Sequence, residues 1–252
     1  MSKVLGVIPA RMGSSRFPGK PLVEINGIPM IAHCYFRALE SKKLDEVLLA
    51  TPDEEILNFA KDYNIASIKT SHNHERASER AGEVLEILSN QGLKFDYVLL
   101  LQGDEPQINP SEIDNLSERL VNSKNSVVNL IHPIQEEDMK NSSVVKSVLD
   151  AEGNILFFSR SQIPNNSSIG YRQLGMIGFT SSILKKYCDL APTKLEIIES
   201  IDMMRFLENN IKIESLISYD VIIGVDHPSD IKKVENLMLK DELVKKYSSL
   251  FK

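Results

Sequence analysis

The chain is poor in cysteine, and none of its apolar runs is long. Cys34 and Cys188 are the two cysteines, far apart and without metal-like spacing. This excludes a disulfide framework and a cysteine zinc site, and predicts two buried free thiols in a reducing compartment. No apolar run approaches the roughly 20 residues that a membrane helix needs, so no membrane insertion is expected. Met1-Ser2-Lys3 leads straight into apolar residues, which predicts no signal peptide and a cytoplasmic protein. An excess of positive charge is also missing. The formal net charge is -6, which argues against broad nucleic-acid binding. The sequence shows no internal repeat and no low-complexity linker. What remains is ordinary for a globular protein, with 252 residues, 42% hydrophobic and 25% charged. Such a chain can build a core that needs no covalent staple.

Against this acidic background, one segment concentrates cations. An apolar strand, Val4 to Ile8, runs into Pro9-Ala10-Arg11-Met12-Gly13-Ser14-Ser15-Arg16-Phe17-Pro18-Gly19-Lys20-Pro21. Small residues free backbone N–H groups to meet anion oxygens, and Arg11, Arg16 and Lys20 supply charge. Three cations so close repel one another unless an anion sits between them. The spacing fits neither G-x-x-x-x-G-K-[ST], since Pro21 follows Lys20, nor G-x-G-x-x-G. Arg-x-Gly-x-x-Arg-x-x-x-Lys grips a polyphosphate with long side chains as much as with a helix N-terminus.

Strand and helix patterns alternate through the first half. Strands are read at Val4–Ile8, Glu46–Ala50, Ala66–Lys69 and Tyr97–Leu101, and helices at Met30–Ser41, Glu54–Tyr63, Glu75–Ser89 and Pro110–Asn122. This order predicts an α/β fold whose parallel sheet is covered on both faces. After Ser126 the rhythm changes. Val127–Ile131, Val144–Leu149 and Ile155–Phe158 read as strands without helices between them, with a hairpin turn at Asp150-Ala151-Glu152-Gly153. A strand at Arg172–Thr180, helices at Ser181–Leu190 and Leu195–Glu208, strands at Ile211–Ser215 and Ile217–Tyr219, and a closing helix at Asp230–Lys246 complete the reading.

Gln102-Gly103-Asp104-Glu105-Pro106 ends the apolar strand Tyr97–Leu101. Asp104 therefore reaches the same sheet edge as the basic loop, where ligands of open α/β sheets sit. A carboxylate beside a polyphosphate is repelled unless a divalent cation lies between them, so Asp104 implies Mg²⁺. Asp226, in Gly224-Val225-Asp226-His227-Pro228-Ser229-Asp230, follows a β-type stretch and precedes a helix that Ser229 is expected to cap. It offers the second carboxylate such an ion needs. Gln102 carries both a donor and an acceptor.

The basic loop, Gln102-Gly103-Asp104-Glu105-Pro106, Val148 to Gly153 with Phe158-Ser159-Arg160, and Gly224-Val225-Asp226 occur in an order that resembles the CMP-sugar-acid synthetases. The chain is most similar to the 3-deoxy-manno-octulosonate (Kdo) cytidylyltransferases. The resemblance implies a Rossmann-like α/β/α nucleotidyltransferase sandwich with a mainly parallel sheet, a single domain over 1–252. It also implies a smaller β-containing insertion at about 127–215 that covers the sugar site and forms a homodimer interface. The implied reaction joins CTP and a 3-deoxy-2-keto sugar acid into CMP-sugar and pyrophosphate, for lipopolysaccharide biosynthesis. Carried onto this sequence, Pro9, Ala10, Arg11, Gly13, Ser14, Ser15, Arg16, Lys20, Ser78, Arg80 and Gln102 contact the nucleotide. Arg16, Lys20, Asp104 and Asp226 form the catalytic group, with Asp104 and Asp226 on Mg²⁺. Gln102, Arg160, Gln173, Glu196, Glu199 and Asp202 face the sugar, with Lys146 a weaker contact.

The sequence departs from that pattern in three places. The family's Ser-Gly-Thr-[Glu/Asp]-Arg reads Arg76-Ala77-Ser78-Glu79-Arg80 here. Ser78 keeps a hydroxyl, while Ala77 restricts backbone freedom. The family histidine before Leu-Gly is Gln173, and Met203 stands where the helix Glu-Gln-x-Arg has glutamine. A sugar site that changes its hydrogen-bonding groups is expected to shift its sugar preference. The related glycosyltransferases want Asp-x-Asp at their metal, where this chain has Asp104-Glu105-Pro106. Lys20, Asp104 and Asp226 together argue against an inactive homologue.

Overall fold

The computed structural model describes residues 2–13, 17–134, 136–220 and 223–251. In chain order the strands are β1 (Val4–Pro9), β2 (Glu24–Ile25), β3 (Ile28–Pro29), β4 (Glu46–Thr51), β5 (Ser67–Lys69), β6 (Tyr97–Leu101), β7 (Val127–Pro133), β8 (Lys146–Leu149), β9 (Ile155–Ser159), β10 (Tyr171–Thr180) and β11 (Glu214–Ile217). The helices are α1 (Met30–Ala38), α2 (Glu54–Asp62), α3 (Ala77–Asn90), α4 (Pro110–Asn122), α5 (Ser181–Asp189), α6 (Lys194–Glu199), α7 (Met204–Glu208), α8 (Pro228–Met238) and α9 (Glu242–Lys245).

The main sheet runs β11-β7-β10-β6-β1-β4-β5. All neighbours are parallel except β10, which lies antiparallel between β6 and β7. Period-two alternation divides each strand between two cores. Leu5 and Val7 of β1, with Val98 and Leu100 of β6, meet Val84, Leu85 and Leu88 of α3 on one face. Val4 and Ile8, with Leu99 and Leu101, meet Ile31 of α1 and Ile113, Leu116 and Leu120 of α4 on the other. Helices therefore cover both faces, as the βα alternation predicts. The parallel strands β1 and β6 end at the same edge, and the basic loop and Asp104 follow them there.

Several expectations change on the structure. The short β2–β3 hairpin has no expected counterpart, because two-residue strands carry no periodicity. The stretch 127–215 divides between the main sheet and a smaller β piece. Strands β7, β10 and β11 belong to the main sheet, and only β8 and β9 leave its path. Cys188 is exposed, and Cys34 alone is a buried thiol. The helix at Asp230–Lys246 is two helices, α8 and α9. Asp241 sits at the break, where it caps Leu243 N–H at 2.9 Å and pairs with the buried Arg37 at 2.5 Å. Ser229 lies inside α8 and does not cap it. Asp230 accepts from the N–H groups of Asp226 and His227 instead.

The helix expected at Leu195–Glu208 is also broken. Ser200, at φ 54°, ends α6 in the left-handed region, and α7 starts at Met204. A continuous helix would put residues 196 and 205 on opposite sides, at 100° per residue. The break lets Arg205 reach Glu196 in a fork, with Nε–Oε2 and Nη2–Oε1 both 2.7 Å. Glu79 of α3 adds a third contact at 2.8 Å, and the guanidinium lies 4.1 Å from the Tyr187 ring centre. The side chains of Arg205 and Glu196 are 2% and 1% exposed. Arg205→Met leaves the Glu196 carboxylate buried without its fork, and the expected loss of stability is about 3–5 kcal/mol. Urea unfolding of the two proteins measures it.

Candidate active site

Two cavities adjoin at the strand ends. The first, about 300 Å³, is lined by Pro9, Ala10, Arg11, Lys20, Arg80, Gln102, Asp104 and Asp226. Eight of the residues singled out from sequence thus meet on one wall. Arg76 and His74 line it too, and neither was singled out as a contact. Ser14, Ser15 and Arg16 lie outside the described residues. Gly13 does not line the cavity, and a Cβ there would meet nothing within 4 Å. The glycine the turn requires is Gly19, at φ 73°. Its N–H donates to Met12 carbonyl at 3.0 Å and closes the loop.

Lys20 is the centre of the arrangement. Its ammonium donates to Asp104 Oδ2 at 2.7 Å and to Val225 carbonyl at 2.8 Å, and lies 4.0 Å from Asp226 Oδ1. Val225 N–H in turn donates to Asp104 carbonyl at 2.9 Å. These contacts tie the loop after β1, the turn after β6 and the segment before α8 into one unit. Arg80 is buried and donates to Thr70 Oγ1 and, at 3.0 Å, to Ser71 carbonyl. Burial and the neighbouring Arg11 both disfavour its charge. A wall of repelling cations is relieved by an anion.

Asp104 and Asp226 are each about one-third exposed and converge on one positive charge. Hard carboxylate oxygens in that position fit Mg²⁺, which one or two carboxylates share with substrate phosphates. Among the described residues, no cluster of three or more His, Cys, Asp or Glu side chains could hold a metal.

The second cavity, about 500 Å³, shares Gln102 and Asp226 with the first and adds Glu105, Arg172, Gln173, Gly175 and Asp202. Glu105 is 8% exposed. Burial, and then the adjacent Asp104, push its carboxyl up to about 7. Its Oε1 accepts from Gly175 N–H at 2.9 Å, while Oε2 is buried without a partner. Asp202 accepts from Ser78 Oγ at 2.8 Å, and burial raises its pKa. Ser78 is thus a strut beneath the cavities and lines neither.

The remaining expected sugar residues are held elsewhere. Arg160 donates to the carbonyls of Ser142, Ser143, Glu199 and Ser200. Glu199 accepts from Ser159 Oγ and Arg160 N–H, and Glu196 is consumed by Arg205 and Arg76. None of the three lines either cavity. Asp202 lies beyond the end of α6, apart from Glu196 and Glu199 on that helix. Lys146 is buried, its ammonium held by the carbonyls of Asn141, Val144 and Arg160. Met203 is fully buried in the core and lines neither cavity, so it acts through packing. Glu105 was legible only as part of a motif, and Arg172 carried no signal of its own.

A mainly parallel sheet whose strand ends set a cationic loop opposite two carboxylates is the arrangement of a nucleotidyltransferase. The family model for cytidylyltransferases matches residues 5–213. A 3-deoxy-manno-octulosonate cytidylyltransferase of Thermodesulfovibrio yellowstonii is 38% identical over 247 residues, covering 92% of this chain and 96% of that protein. The solved structure of a CMP:2-keto-3-deoxy-manno-octonic acid synthetase in complex with CTP superposes with TM-score 0.86 at 33% identity, covering 95% and 100% of the two chains. A 4-diphosphocytidyl-2C-methyl-D-erythritol synthase from Anaerococcus prevotii, at 16% identity and TM-score 0.66 over 95% and 97% of the two chains, shares the fold. The chain belongs to the 3-deoxy-manno-octulosonate cytidylyltransferase family.

Gly175 makes the junction of the cavities testable. A Cβ there would lie 2.1 Å from Gln102 Cγ and 2.9 Å from Glu105 Oε1. Gly175→Ala is expected to displace Gln102 and cut kcat/KM for pyrophosphate release by about tenfold or more, with a stability loss of about 1–3 kcal/mol. Steady-state kinetics and thermal melting measure the two effects.

Proposed function

We propose that this protein transfers CMP from CTP to the anomeric hydroxyl of Kdo or a close relative and releases pyrophosphate. The observation that carries the reading is one cavity in which Arg11, Lys20 and Arg80 face Asp104 and Asp226, and which meets a second cavity at Gln102 and Asp226. The names of the relatives above support the same nucleotide and sugar acid.

The residues act by placement and charge. Arg11, Lys20 and Arg80 take the triphosphate in the first cavity, with Arg16 expected beside them. Lys20 spends two of its three N–H bonds on Asp104 and Val225, which leaves one for a phosphate oxygen. Attack by the sugar hydroxyl at the α-phosphorus builds charge on phosphate and on departing pyrophosphate. Fixed cations stabilise that charge without reorganising. Gln102 stands at the junction of the cavities, where it can orient nucleotide and sugar toward each other. Asp104 and Asp226 are assigned to Mg²⁺, which when bound supplies Lewis-acid stabilisation of the phosphates.

Two further assignments belong to this reading. Leu156 of β9 and Ile197 and Ile198 of α6 are exposed, and the two elements meet through the Ser159–Glu199 hydrogen bond. A second copy of this chain is assigned to that apolar surface. The unpaired thiols Cys34 and Cys188 fit a reducing compartment, and the cytoplasm is assigned.

Asp104→Asn keeps a hydrogen-bond partner for Lys20 but removes the charge. Turnover of CTP and Kdo should fall about 10³-fold with the circular dichroism spectrum unchanged. Full activity of this variant would defeat the assignment of Asp104. Ile198→Asp puts a charge on the apolar surface, and light scattering should find a monomer where the parent protein is a dimer.

A further inference from the structure

Asn129 is a polar residue in the middle of the apolar strand β7, and it is fully buried. Its Nδ2 donates to the carbonyls of Leu130 at 2.9 Å, Leu174 at 3.1 Å and Met176 at 3.3 Å. The amide hydrogens are thereby engaged, and Oδ1 is fixed as an acceptor. Gln173 Nε2 donates to that oxygen at 2.7 Å. The reverse orientation of Gln173 would press two carbonyl oxygens together at the same distance. A buried residue thus decides which end of a cavity-lining amide is used internally.

The other end is left to the cavity. Gln173 lines the second cavity, its Oε1 accepts from no described group, and that oxygen is not buried. An imidazole at such a position would present either a donor or an acceptor according to its tautomer. This amide has no such freedom. Glu105, Asp202 and Asp226 line the same cavity beside Arg172 and Lys233, so it offers acceptors for the donors of a sugar as well as cations for its carboxylate.

We infer that Gln173 is a specificity-determining residue whose Oε1 accepts a hydrogen bond from one hydroxyl or ammonium group of the sugar acid, and that Asn129 is the positioning residue that sets this polarity. The inference rests on the CMP-transfer reading and sharpens its substrate class. The sugar must carry a donor at one particular position, and a substituent that only accepts is rejected there.

The test is a cycle between enzyme and substrate. For the wild-type protein, kcat/KM is measured by pyrophosphate release with CTP and Kdo. The same is done for Kdo analogues in which one hydroxyl at a time is removed, O-methylated or replaced by an amine. One position is expected at which removal or methylation costs about tenfold while the amine is turned over. The faster of hydroxyl and amine there identifies the donor. In Gln173→Met the penalty at that position should vanish while penalties elsewhere persist. Gln173→Glu keeps an acceptor but faces Asn129 Oδ1 with another oxygen, and the KM for sugar should rise about tenfold while that for CTP holds. Asn129→Ser should lower the melting temperature and also shrink the same position-specific penalty. A merely structural role would scale all the analogues alike. If Asn129→Ser does not fold, the two Gln173 variants decide the matter. Equal penalties in wild type and Gln173→Met overturn the inference and leave CMP transfer standing. No pyrophosphate from any sugar with the wild-type protein overturns both.

Discussion

The Lys20 ammonium holds the site together. Three chain segments that are remote in sequence reach it: the loop after β1, the turn after β6 and the segment before α8. Its contacts with Asp104, Val225 and Asp226 are short because each partner is delivered by backbone that is itself tied down. Asp104 is joined to Val225 through the main chain, and Asp226 is fixed by the cap of α8. A cation between two carboxylates offsets their mutual repulsion, so the protein can fold with the site assembled. In the proposed reaction the same unit would act as an electrostatic clamp once phosphates compete for the ammonium. Folding and catalysis thus draw on one set of charges, and the excess cations Arg11 and Arg80 give the first cavity its preference for anions.

The one antiparallel strand explains why a second cavity lies beside the first. Strand β10 enters between β6 and β7 in the opposite sense, so its early residues Gln173, Leu174 and Gly175 lie beside the end of β6. Gly175 has no Cβ, and Gln102 and Glu105 occupy that space. Glu105 then bonds Gly175 N–H and joins the two strand ends. Were β10 parallel, these residues would sit at the far edge of the sheet and the nucleotide cavity would have no neighbour.

Much of this was legible in the residues. The apolar strands β1 and β6, the helices α3 and α4, and the basic loop and Asp104 at one sheet edge follow from periodicity and from the rule that ligands meet the carboxyl ends of strands. The second half was harder to read for physical reasons. Strands β7, β10 and β11 join the main sheet through long-range pairing, which local pattern does not report. The break between α6 and α7 is imposed by a buried guanidinium that must face Glu196, a tertiary demand that overrides helix propensity. Glu196, Glu199 and Asp202 all fall within the stretch Leu195–Glu208 that reads as one helix. The fold separates them into an internal counter-ion, a strut for Arg160 and a cavity wall. Asn129 did leave a trace, since a lone amide within Val127–Ile131 must find partners when buried.

The chain's departures from its family pattern sort by where they fall. Met203 is absorbed by the core, where only volume and apolarity are felt. Arg76 lines the nucleotide cavity while its guanidinium reaches Glu196 and Ser200, so a change on the cavity wall is braced by the same acid that holds Arg205. Gln173 alone faces the second cavity with an unspent hydrogen-bonding atom. Changes that the scaffold satisfies internally are silent toward a ligand, because their polar groups are already paired. A change that leaves one acceptor open transfers the demand for a partner to the substrate. On the proposed reading, specificity follows from which polar atoms the fold leaves unpaired, and only the folded arrangement reveals which atoms those are.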